Sequence, residues 1–141
     1  MGNEIGGSVD KMKLIEFKIN GDKRGSLISL EGNKNIPFEI KRIYYIYGAN
    51  DSLPRGFHAH KKLKQVIIAL SGAVTLILEN SHGKKVIVLD SPNKGILIDT
   101  ICWREMHSFT KDCVLLVLAS DIYDKDDYIN DYLDFKKIIQ I

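Results

Sequence analysis

Short apolar segments separated by turn residues run along most of the chain. Glycine, asparagine and proline, which favour chain reversal, lie between segments rich in valine, isoleucine, leucine and tyrosine. The apolar segments recur at spacings close to the roughly 8 to 12 residues that are typical of β-sandwiches and barrels. They read KLIEFKI, SLISLE, FEIKRIYYIY, KQVIIAL, AVTLILE, KKVIVLD, GILID and CVLLVLAS. The pattern predicts an all-β fold.

The predicted strands differ in the faces that they bury. VIIAL, TLIL and VLLVLA are apolar at nearly every position, which indicates strands buried on both faces, as in a sandwich core or a dimer interface. The strand over residues 40–47 instead alternates, and Arg42 and Tyr44 fall on the face that also carries Ile40 and Ile46. Buried arginine and tyrosine side chains need polar partners. We therefore expect a polar pocket inside the β-structure.

The C-terminal segment SDIYDKDDYINDYLDFKKIIQI changes to a helical pattern. Tyr128, Tyr132 and Phe135 are spaced i, i+4 and i+7, so they share one face of a helix. Ser120 or Asp121 is a candidate N-cap, and two lysines near the end suit the negative end of the helix dipole. The segment predicts one short C-terminal helix or two helical turns.

Composition and charge indicate a small globular protein. The chain has 141 residues, of which 45% are hydrophobic and 27% charged, and its formal net charge is +2. We expect a single domain over residues 11–141 and a disordered, glycine-rich leader over residues 1–10. No basic tract suits a nucleic acid, and no apolar run reaches the roughly 20 residues of a membrane span. Because no signal peptide is evident, we expect a cytoplasmic protein in which Cys102 and Cys113 are reduced.

Two histidines one residue apart are the clearest candidates for chemistry. His58 and His60 lie in PRGFHAHKKLKQVIIALSG, and in an extended strand both side chains point to the same side. That geometry suits two ligands of one metal ion, or two groups that face one substrate. The carboxylate expected a few residues later in a metal site is replaced by Gln65. The pair indicates a functional pocket and leaves its chemistry open.

The segments around these histidines resemble the two motifs of the cupin family. HAHKKLKQVIIALSG resembles the first motif with Gln65 in place of its glutamate, and SPNKGILIDTICWREMHSF loosely resembles the second, with Arg104 where a metal-binding histidine is expected. An amide and a guanidinium are poor replacements, because arginine has no lone pair to offer and adds positive charge. The resemblance implies a cupin-type jelly-roll β-sandwich with a short C-terminal helical segment and without a metal or another cofactor.

Several separate segments narrow the resemblance. RGFHAHKKLKQV, KRIYYIY, WREMHSF and LASDIYDKDDYINDYLDF are together similar to the dTDP-6-deoxyhexose 3,4-ketoisomerases, from about residue 17 to residue 137. RGFH is also similar to the dTDP-sugar 3,5-epimerases. Three alternatives stay open: such an epimerase, a non-enzymatic cupin that binds a sugar or nucleotide, and a metal-dependent cupin in which His107 joins His58 and His60.

The resemblance implies conversion of dTDP-4-keto-6-deoxyglucose into a dTDP-3-keto-6-deoxyhexose through an enediol. Relatives of this kind serve the biosynthesis of bacterial O-antigen, S-layer and other surface amino sugars. A base removes the proton from C3 and a proton is delivered to C4, while protons move between the two oxygens. By motif position, His58 is the expected carbon base, His60 a second participant and Tyr44 a proton relay. The resemblance and the two-sided apolar strands together imply a homodimer.

Arginines and one glutamine complete the predicted site. Arg42 and Arg55 are the expected ligands of the diphosphate or the sugar oxygens, and Gln65 is expected to orient a histidine or a sugar hydroxyl. Arg24 and Arg104 occupy positions that vary in the resembling family, which contains enzymes with gluco and with galacto products. Arginine at both positions favours the gluco product, since residues near the sugar select the face of C4 that receives the proton.

Overall fold

Two five-stranded antiparallel sheets pack face to face around the main core. The computed structural model describes residues 12–50 and 52–140, so the predicted leader over residues 1–10 lies outside the described residues. The elements are β1 (Met12–Glu16), β2 (Asn20–Asp22), β3 (Gly25–Leu27), β4 (Arg42–Tyr47), β5 (Arg55–His60), β6 (Gln65–Ser71), β7 (Val74–Asn80), β8 (Gly83–Leu89), β9 (Lys94–Ile98), β10 (Trp103–His107), β11 (Val114–Ala119), a 3-10 turn (Lys125–Asp127), β12 (Tyr128–Ile129) and α1 (Tyr132–Ile139). The first sheet has the order β1-β9-β6-β11-β4, the second has the order β12-β5-β10-β7-β8, and β2 and β3 form a hairpin. The predicted all-β sandwich with a short C-terminal helix is confirmed.

The core between the sheets is built from the inward side chains of both layers. Ile67 of β6, Leu76 of β7, Met106 of β10 and Leu115 of β11 belong to one buried cluster. Full burial of a side chain of this size contributes about 1.5–3 kcal/mol of hydrophobic free energy. Arg42 and Tyr44 of β4 are half-buried at one end of this sandwich, as the alternation of their strand predicts.

A second apolar layer covers the outer face of the first sheet. Val66 and Ile68 point away from the main core, and the segment over residues 28–40 packs Ile36 and Phe38 against them. β6 is therefore buried on both faces, as its continuous apolar sequence predicts.

Strand boundaries differ from the prediction in three places. The apolar runs at residues 28–31 and 38–41 belong to the covering segment, where local hydrogen bonds such as Ile36 N–H to Glu31 O (3.1 Å) replace strand pairing. WREMH forms β10 although its apolar content is low, because its pairing with β5 and β7 fixes it in the middle of the second sheet.

The C-terminal helix is shorter than its pattern predicts. α1 follows Asp131, whose carboxylate accepts two backbone N–H hydrogen bonds of the first turn, at 2.8 and 3.1 Å. The candidate caps Ser120 and Asp121 are therefore wrong, because Tyr128–Ile129 pairs with β5 as an edge strand instead of continuing a helix. Phe135 is fully buried where α1 packs on the second sheet. Within the described ranges, no helix has the length and apolar character needed to cross a membrane.

Candidate active site

A bulge in β5 brings Arg55 and His58 to the same cavity. β5 and β10 pair His58 with Arg104, and the register shifts at the next residue of β10, so Phe57 has no counterpart there. Gly56 (φ +94°) and Phe57 (φ +60°) both adopt left-handed backbone conformations at this point. One extra residue reverses the alternation of side chains along a strand. Arg55 therefore lines the cavity beside His58, although the two are an odd number of residues apart.

Gly56→Ala is expected to lower the free energy of unfolding by about 3 kcal/mol, because a steric clash adds to an unfavourable φ. An alanine Cβ would lie 2.9 Å from the carbonyl oxygen of Arg104, which belongs to the backbone of β10. Urea unfolding measures the difference. Gly48→Ala is the control, since Gly48 has a φ of +66° but no atom within 4 Å of the added Cβ. We expect this control to lose only about 1 kcal/mol; equal losses would contradict the steric argument.

The cavity beside His58, here called the main cavity, has a volume of about 350 Å³. It lies between β4, β5 and β10, at the end of the sandwich where the polar face of β4 looks inward. Of the predicted site residues it brings together Arg42, Tyr44, Arg55 and His58. The predicted polar pocket is therefore present.

A smaller side cavity of about 130 Å³ shares Arg42 and Tyr128 with the main cavity. Its other polar walls include His60 and Asp127. His60 is only 1% exposed and lies on this side cavity rather than on the main one. The two histidines therefore line two adjoining cavities instead of one.

Tyr128 is a site residue that sequence reasoning missed. Its ring centroid lies 5.0 Å from that of His58 and 4.4 Å from that of His60, so it packs on both imidazoles. The two imidazole centroids are 5.0 Å apart. In the sequence, the spacing of Tyr128 with later aromatic residues predicts a helix and so conceals this role. The signal related to Tyr128 is the HAH pair, because Tyr128 lies in the edge strand that pairs with His60.

A chain of buried side-chain hydrogen bonds lies behind Tyr44. Gln65 Nε2 donates to the Tyr44 hydroxyl oxygen (3.0 Å), and Arg104 Nη1 donates to Gln65 Oε1. Arg104 Nη2 also donates to the Cys102 carbonyl (3.0 Å). Because the Tyr44 oxygen already accepts a hydrogen bond, its own O–H hydrogen is left to donate elsewhere. Gln65 and Arg104 are each 1% exposed and hold Tyr44 from behind; they do not line the main cavity.

Burial and nearby arginines keep the histidines neutral near neutral pH. Burial, followed by the charge of Arg104, lowers the pKa of His58 to about 4. The same two causes, burial first, lower the pKa of His60. Burial raises the pKa of Tyr44 above its usual 10.0, so the phenol stays protonated. The site thus presents neutral imidazoles and a neutral hydroxyl donor.

The remaining arginines lie in different places. The Arg42 guanidinium carbon is 5.1 Å from the centre of the Tyr44 ring and 5.8 Å from that of Tyr123, between the two cavities. Arg24 lies in the β2–β3 hairpin, where its side chain is 89% exposed and bonds Asp22. Arg24 lines neither cavity, so the structure does not bring this predicted residue to the site.

The donor set around the histidines does not suit a metal ion. Gln65 and Arg104 stand at the two positions where a metal-binding cupin has further ligands, and a guanidinium offers no lone pair. His107, the alternative third ligand, bonds a neighbouring glutamate through Nε2 (2.8 Å). Among residues 12–50 and 52–140, no cluster of three His, Cys, Asp or Glu side chains has the geometry of a metal site. The residues present therefore do not fit a metal ion at this site.

Comparison with known proteins agrees with this geometry. The family described as "FdtA: WxcM-like, C-terminal" matches residues 10–140. The TDP-4-oxo-6-deoxy-alpha-D-glucose-3,4-oxoisomerase of Aneurinibacillus thermoaerophilus is 53% identical over 127 residues, which cover 90% of this chain and 91% of that protein.

Solved structures extend the agreement to the fold. QdtA, a sugar 3,4-ketoisomerase from Thermoanaerobacterium thermosaccharolyticum in complex with TDP, has a TM-score of 0.91 and 45% identity, over 94% of this chain and 96% of its own. A histidine-to-asparagine variant of that enzyme, in complex with TDP-4-keto-6-deoxyglucose, has a TM-score of 0.87 and 44% identity, over 93% and 98% of the two chains. The RmlC epimerase of Mycobacterium tuberculosis shares 14% identity at a TM-score of 0.73, over 85% and 68% of the chains, which shows a common fold alone. The cupin-type jelly roll is thus confirmed, and the chain belongs to the FdtA family of sugar-nucleotide 3,4-ketoisomerases.

Proposed function

We propose that this chain converts TDP-4-keto-6-deoxyglucose into a TDP-3-keto-6-deoxyhexose without a metal. The observation that carries the proposal is the meeting of His58, Tyr44, Arg42 and Arg55 at the main cavity. A neutral imidazole, a neutral phenol and two guanidinium groups suit an enediol reaction on an anionic sugar nucleotide. The substrate class is supported by the names of the relatives.

His58 is the proposed carbon base. It takes the proton from C3, the C–H electron pair forms the C3=C4 double bond, and the carbonyl electrons move to O4, which takes a proton from Tyr44. The enediol then loses the O3 proton and re-forms a carbonyl at C3, while C4 takes a proton from solvent on the face opposite His58, and His58 gives the C3 proton to solvent. The reaction balances without an oxidant, because the carbonyl group and one hydrogen exchange places.

Arg42 and Arg55 are the proposed ligands of the diphosphate and the sugar oxygens. Arg55 is exposed beside the main cavity, and Arg42 lies between the two cavities. Guanidinium groups bind phosphate oxygens with paired, charge-assisted hydrogen bonds. The bound diphosphate also adds negative charge near His58, which favours protonation of the base during turnover.

Turnover in deuterated water tests the proposed function. We expect NMR spectra of TDP-4-keto-6-deoxyglucose with this protein to show the carbonyl moving from C4 to C3, with solvent deuterium entering at C4. Label at C3 and C5 with an unmoved carbonyl would instead indicate an epimerase, and the absence of any turnover would indicate a binding protein. Either result would overturn the proposal.

We propose the gluco configuration at C4 of the product. Arg104 acts on this choice only through Gln65 and Tyr44, because its side chain is buried behind them. Arg104→His places a shorter side chain behind Gln65 and Tyr44. We expect the ratio of gluco to galacto product to fall about tenfold, which corresponds to a change of about 1.4 kcal/mol. Coupling constants at C4 in the NMR spectrum measure the ratio. An unchanged ratio would remove Arg104 from stereochemical control.

We propose that two protomers pair through the outer face of β4. Ile43, Tyr45 and Tyr47 are 59, 62 and 72% exposed on this edge strand. An exposed apolar edge strand favours pairing with a second copy. Sedimentation velocity is expected to give twice the protomer mass, and the protomer mass after Tyr45→Lys and Tyr47→Lys are combined. A monomer before substitution would contradict the homodimer.

We also propose a cytoplasmic role in supplying bacterial surface amino sugars, as in O-antigen, lipopolysaccharide or S-layer glycans. The support is chemical, because a 3-keto sugar nucleotide is the form that an aminotransferase can convert into a 3-amino sugar. Fractionation of the source cells tests the location, and recovery outside the cytoplasmic fraction would contradict it.

A further inference from the structure

We infer that Asp127 is a positioning residue that holds His60 in one tautomer, and that His60 thereby accepts the O3 proton during turnover. The inference rests on the proposed function and names the group that receives a proton from the sugar oxygens. Its starting observation is a contact of 3.1 Å between His60 Nδ1 and Asp127 Oδ2 at the side cavity.

The partner of Nδ1 determines where the His60 proton lies. An ionised carboxylate only accepts hydrogen bonds, so Nδ1 carries the hydrogen and Nε2 keeps a free lone pair. Four buried side-chain nitrogens lack a hydrogen-bond partner among the described residues, on Arg42, His60, Asn80 and Arg104. The other three are guanidinium or amide nitrogens, which only donate. His60 Nε2 is therefore the one nitrogen of this set that can accept a proton.

Asp127 is itself held firmly in place. Its carboxylate accepts hydrogen bonds from the backbone N–H groups of Lys62 (2.8 Å) and Leu63 (3.2 Å), and its carbonyl accepts one from Lys61 (3.0 Å). The side chain is 12% exposed. The loop after β5 thus fixes the carboxylate that orients His60, and DKDD, which reads as a solvated acidic run in the sequence, contains a half-buried functional group.

Charged and titratable groups from every neighbouring element face His60. Asp127 comes from the 3-10 turn, Tyr128 from β12 and His58 from β5. The remaining two are Arg104 of β10 and Arg42 of β4, and both cations disfavour a second proton on the ring. Asp127 is the only anion that touches the ring among the described residues. It is therefore the group that stabilises an imidazolium formed on His60.

The proton movements balance with His60 in this role. The O3–H electron pair forms the C3 carbonyl, and the O3 proton passes to His60 Nε2 beside Tyr128, which lines both cavities. The C3=C4 electrons take a proton from solvent on the opposite face, and His58 gives the C3 proton to solvent. Tyr44, which donated to O4, recovers a proton from His60 through solvent, and both groups return to their starting forms. Without a working His60, the enediol still forms but returns to substrate, because O3 cannot lose its proton.

Asp127→Asn tests this role, because an amide N–H facing Nδ1 forces the His60 hydrogen onto Nε2. We expect kcat to fall about 100-fold, within the range for general acid–base catalysis, and KM to change less than about threefold. In deuterated water, the variant is expected to place deuterium at C3 of recovered substrate at least about tenfold more often per product formed than the unmodified protein. A merely structural substitution would lower exchange and product formation together.

Asp121→Asn is the matched control. Asp121 lines the same side cavity and carries the same charge, but within residues 12–50 and 52–140 its carboxylate bonds only the neighbouring N–H of Ile122 (2.8 Å). We expect the rates of C3 exchange and of product formation in this control to stay within about twofold of those of the unmodified protein. An equal loss in the two variants would contradict a specific role for Asp127.

Nitrogen NMR of the unmodified protein tests the tautomer even if the variant fails to fold. We expect the hydrogen of His60 on Nδ1, and a hydrogen on Nε2 would overturn the inference. Parallel loss of exchange and product in a folded Asp127→Asn would also overturn it. If the unmodified protein shows neither exchange nor product, the proposed function itself is wrong, while the tautomer result still decides whether Asp127 positions His60.

Discussion

His58→Asn lowers kcat by about 10³- to 10⁴-fold, because asparagine keeps polar atoms at the main cavity but removes the one imidazole that lines it in the described part of the chain. Exchange of the C3 hydrogen with solvent is expected to fall by the same factor, since the same group breaks the C3–H bond. KM should change little, as the proposed diphosphate ligands are Arg42 and Arg55. NMR of the reaction in deuterated water measures both rates, and urea unfolding checks the fold.

His82→Asn is the control for this substitution. His82 is exposed in the turn between β7 and β8 and lines neither cavity, so its variant is expected to match the unmodified protein. Retention of C3 exchange in His58→Asn would remove His58 as the carbon base. His60 would then be the first residue to test, because its ring is the neighbouring imidazole.

Arg104→Met is expected to lower activity strongly without a large loss of stability. Arg104 is 1% exposed, and among the described residues its only hydrogen-bond partners are the Gln65 amide and the Cys102 carbonyl. A methionine of similar size removes the cost of a buried charge without a counter-ion, but it leaves the Gln65 amide oxygen and the Cys102 carbonyl without this donor. Because the two effects oppose each other, we expect the free energy of unfolding to change by less than about 2 kcal/mol. Loss of the group that holds Gln65 and Tyr44 is expected to lower kcat about 100-fold.

The same variant changes the pH dependence in a defined direction. Activity requires neutral His58, so the acid limb of kcat/KM in the unmodified protein is expected at about pH 4, the pKa of His58. Without the Arg104 charge this pKa rises, and the acid limb moves to higher pH. It stays below the ordinary 6.5, because burial, the larger cause of the shift, remains. Rate profiles that start about one pH unit below this pKa and extend to neutral pH measure the movement.

Lys84→Met is the control, since it removes one positive charge from an exposed position of β8 that lines neither cavity. We expect no movement of the acid limb in this variant. A large loss of stability in Arg104→Met, or an acid limb at unchanged pH, would contradict the account of Arg104 as a buried, activity-related cation.

Much of the fold was predictable, because the order of apolar and polar residues along the strands indicates which faces are buried. β6 reads as an unbroken apolar strand and is buried on both faces, while β4 alternates and turns Arg42 and Tyr44 inward. β10 was not predictable in this way, because WREMH carries three polar residues in five positions. Its strand character comes from pairing on both sides with β5 and β7, a long-range effect that local propensity does not record.

The site was predictable where a motif carried it and not where tertiary pairing built it. His58, Tyr44, Arg42 and Arg55 were found from spacing and resemblance, and the structure brings them together. Tyr128 and Asp127 were not found, because their sequence reads as part of a helix and as an acidic run. In the structure, a short strand and a 3-10 turn place them beside His60. Arg55 reaches the cavity only through the bulge at Gly56 and Phe57, which simple alternation excludes.

The central claim is that His58 removes the C3 hydrogen, so that the carbonyl moves from C4 to C3 without a metal. It is tested most directly with TDP-4-keto-6-deoxyglucose carrying ¹³C at C4, incubated with metal-stripped protein in the presence of a chelator. We predict that the unmodified protein converts the C4 carbonyl signal into that of a hydroxyl-bearing carbon at its full rate, and that His58→Asn leaves the signal unchanged over the same period. A C4 carbonyl that persists with the unmodified protein, or that disappears equally fast with His58→Asn, would contradict the claim.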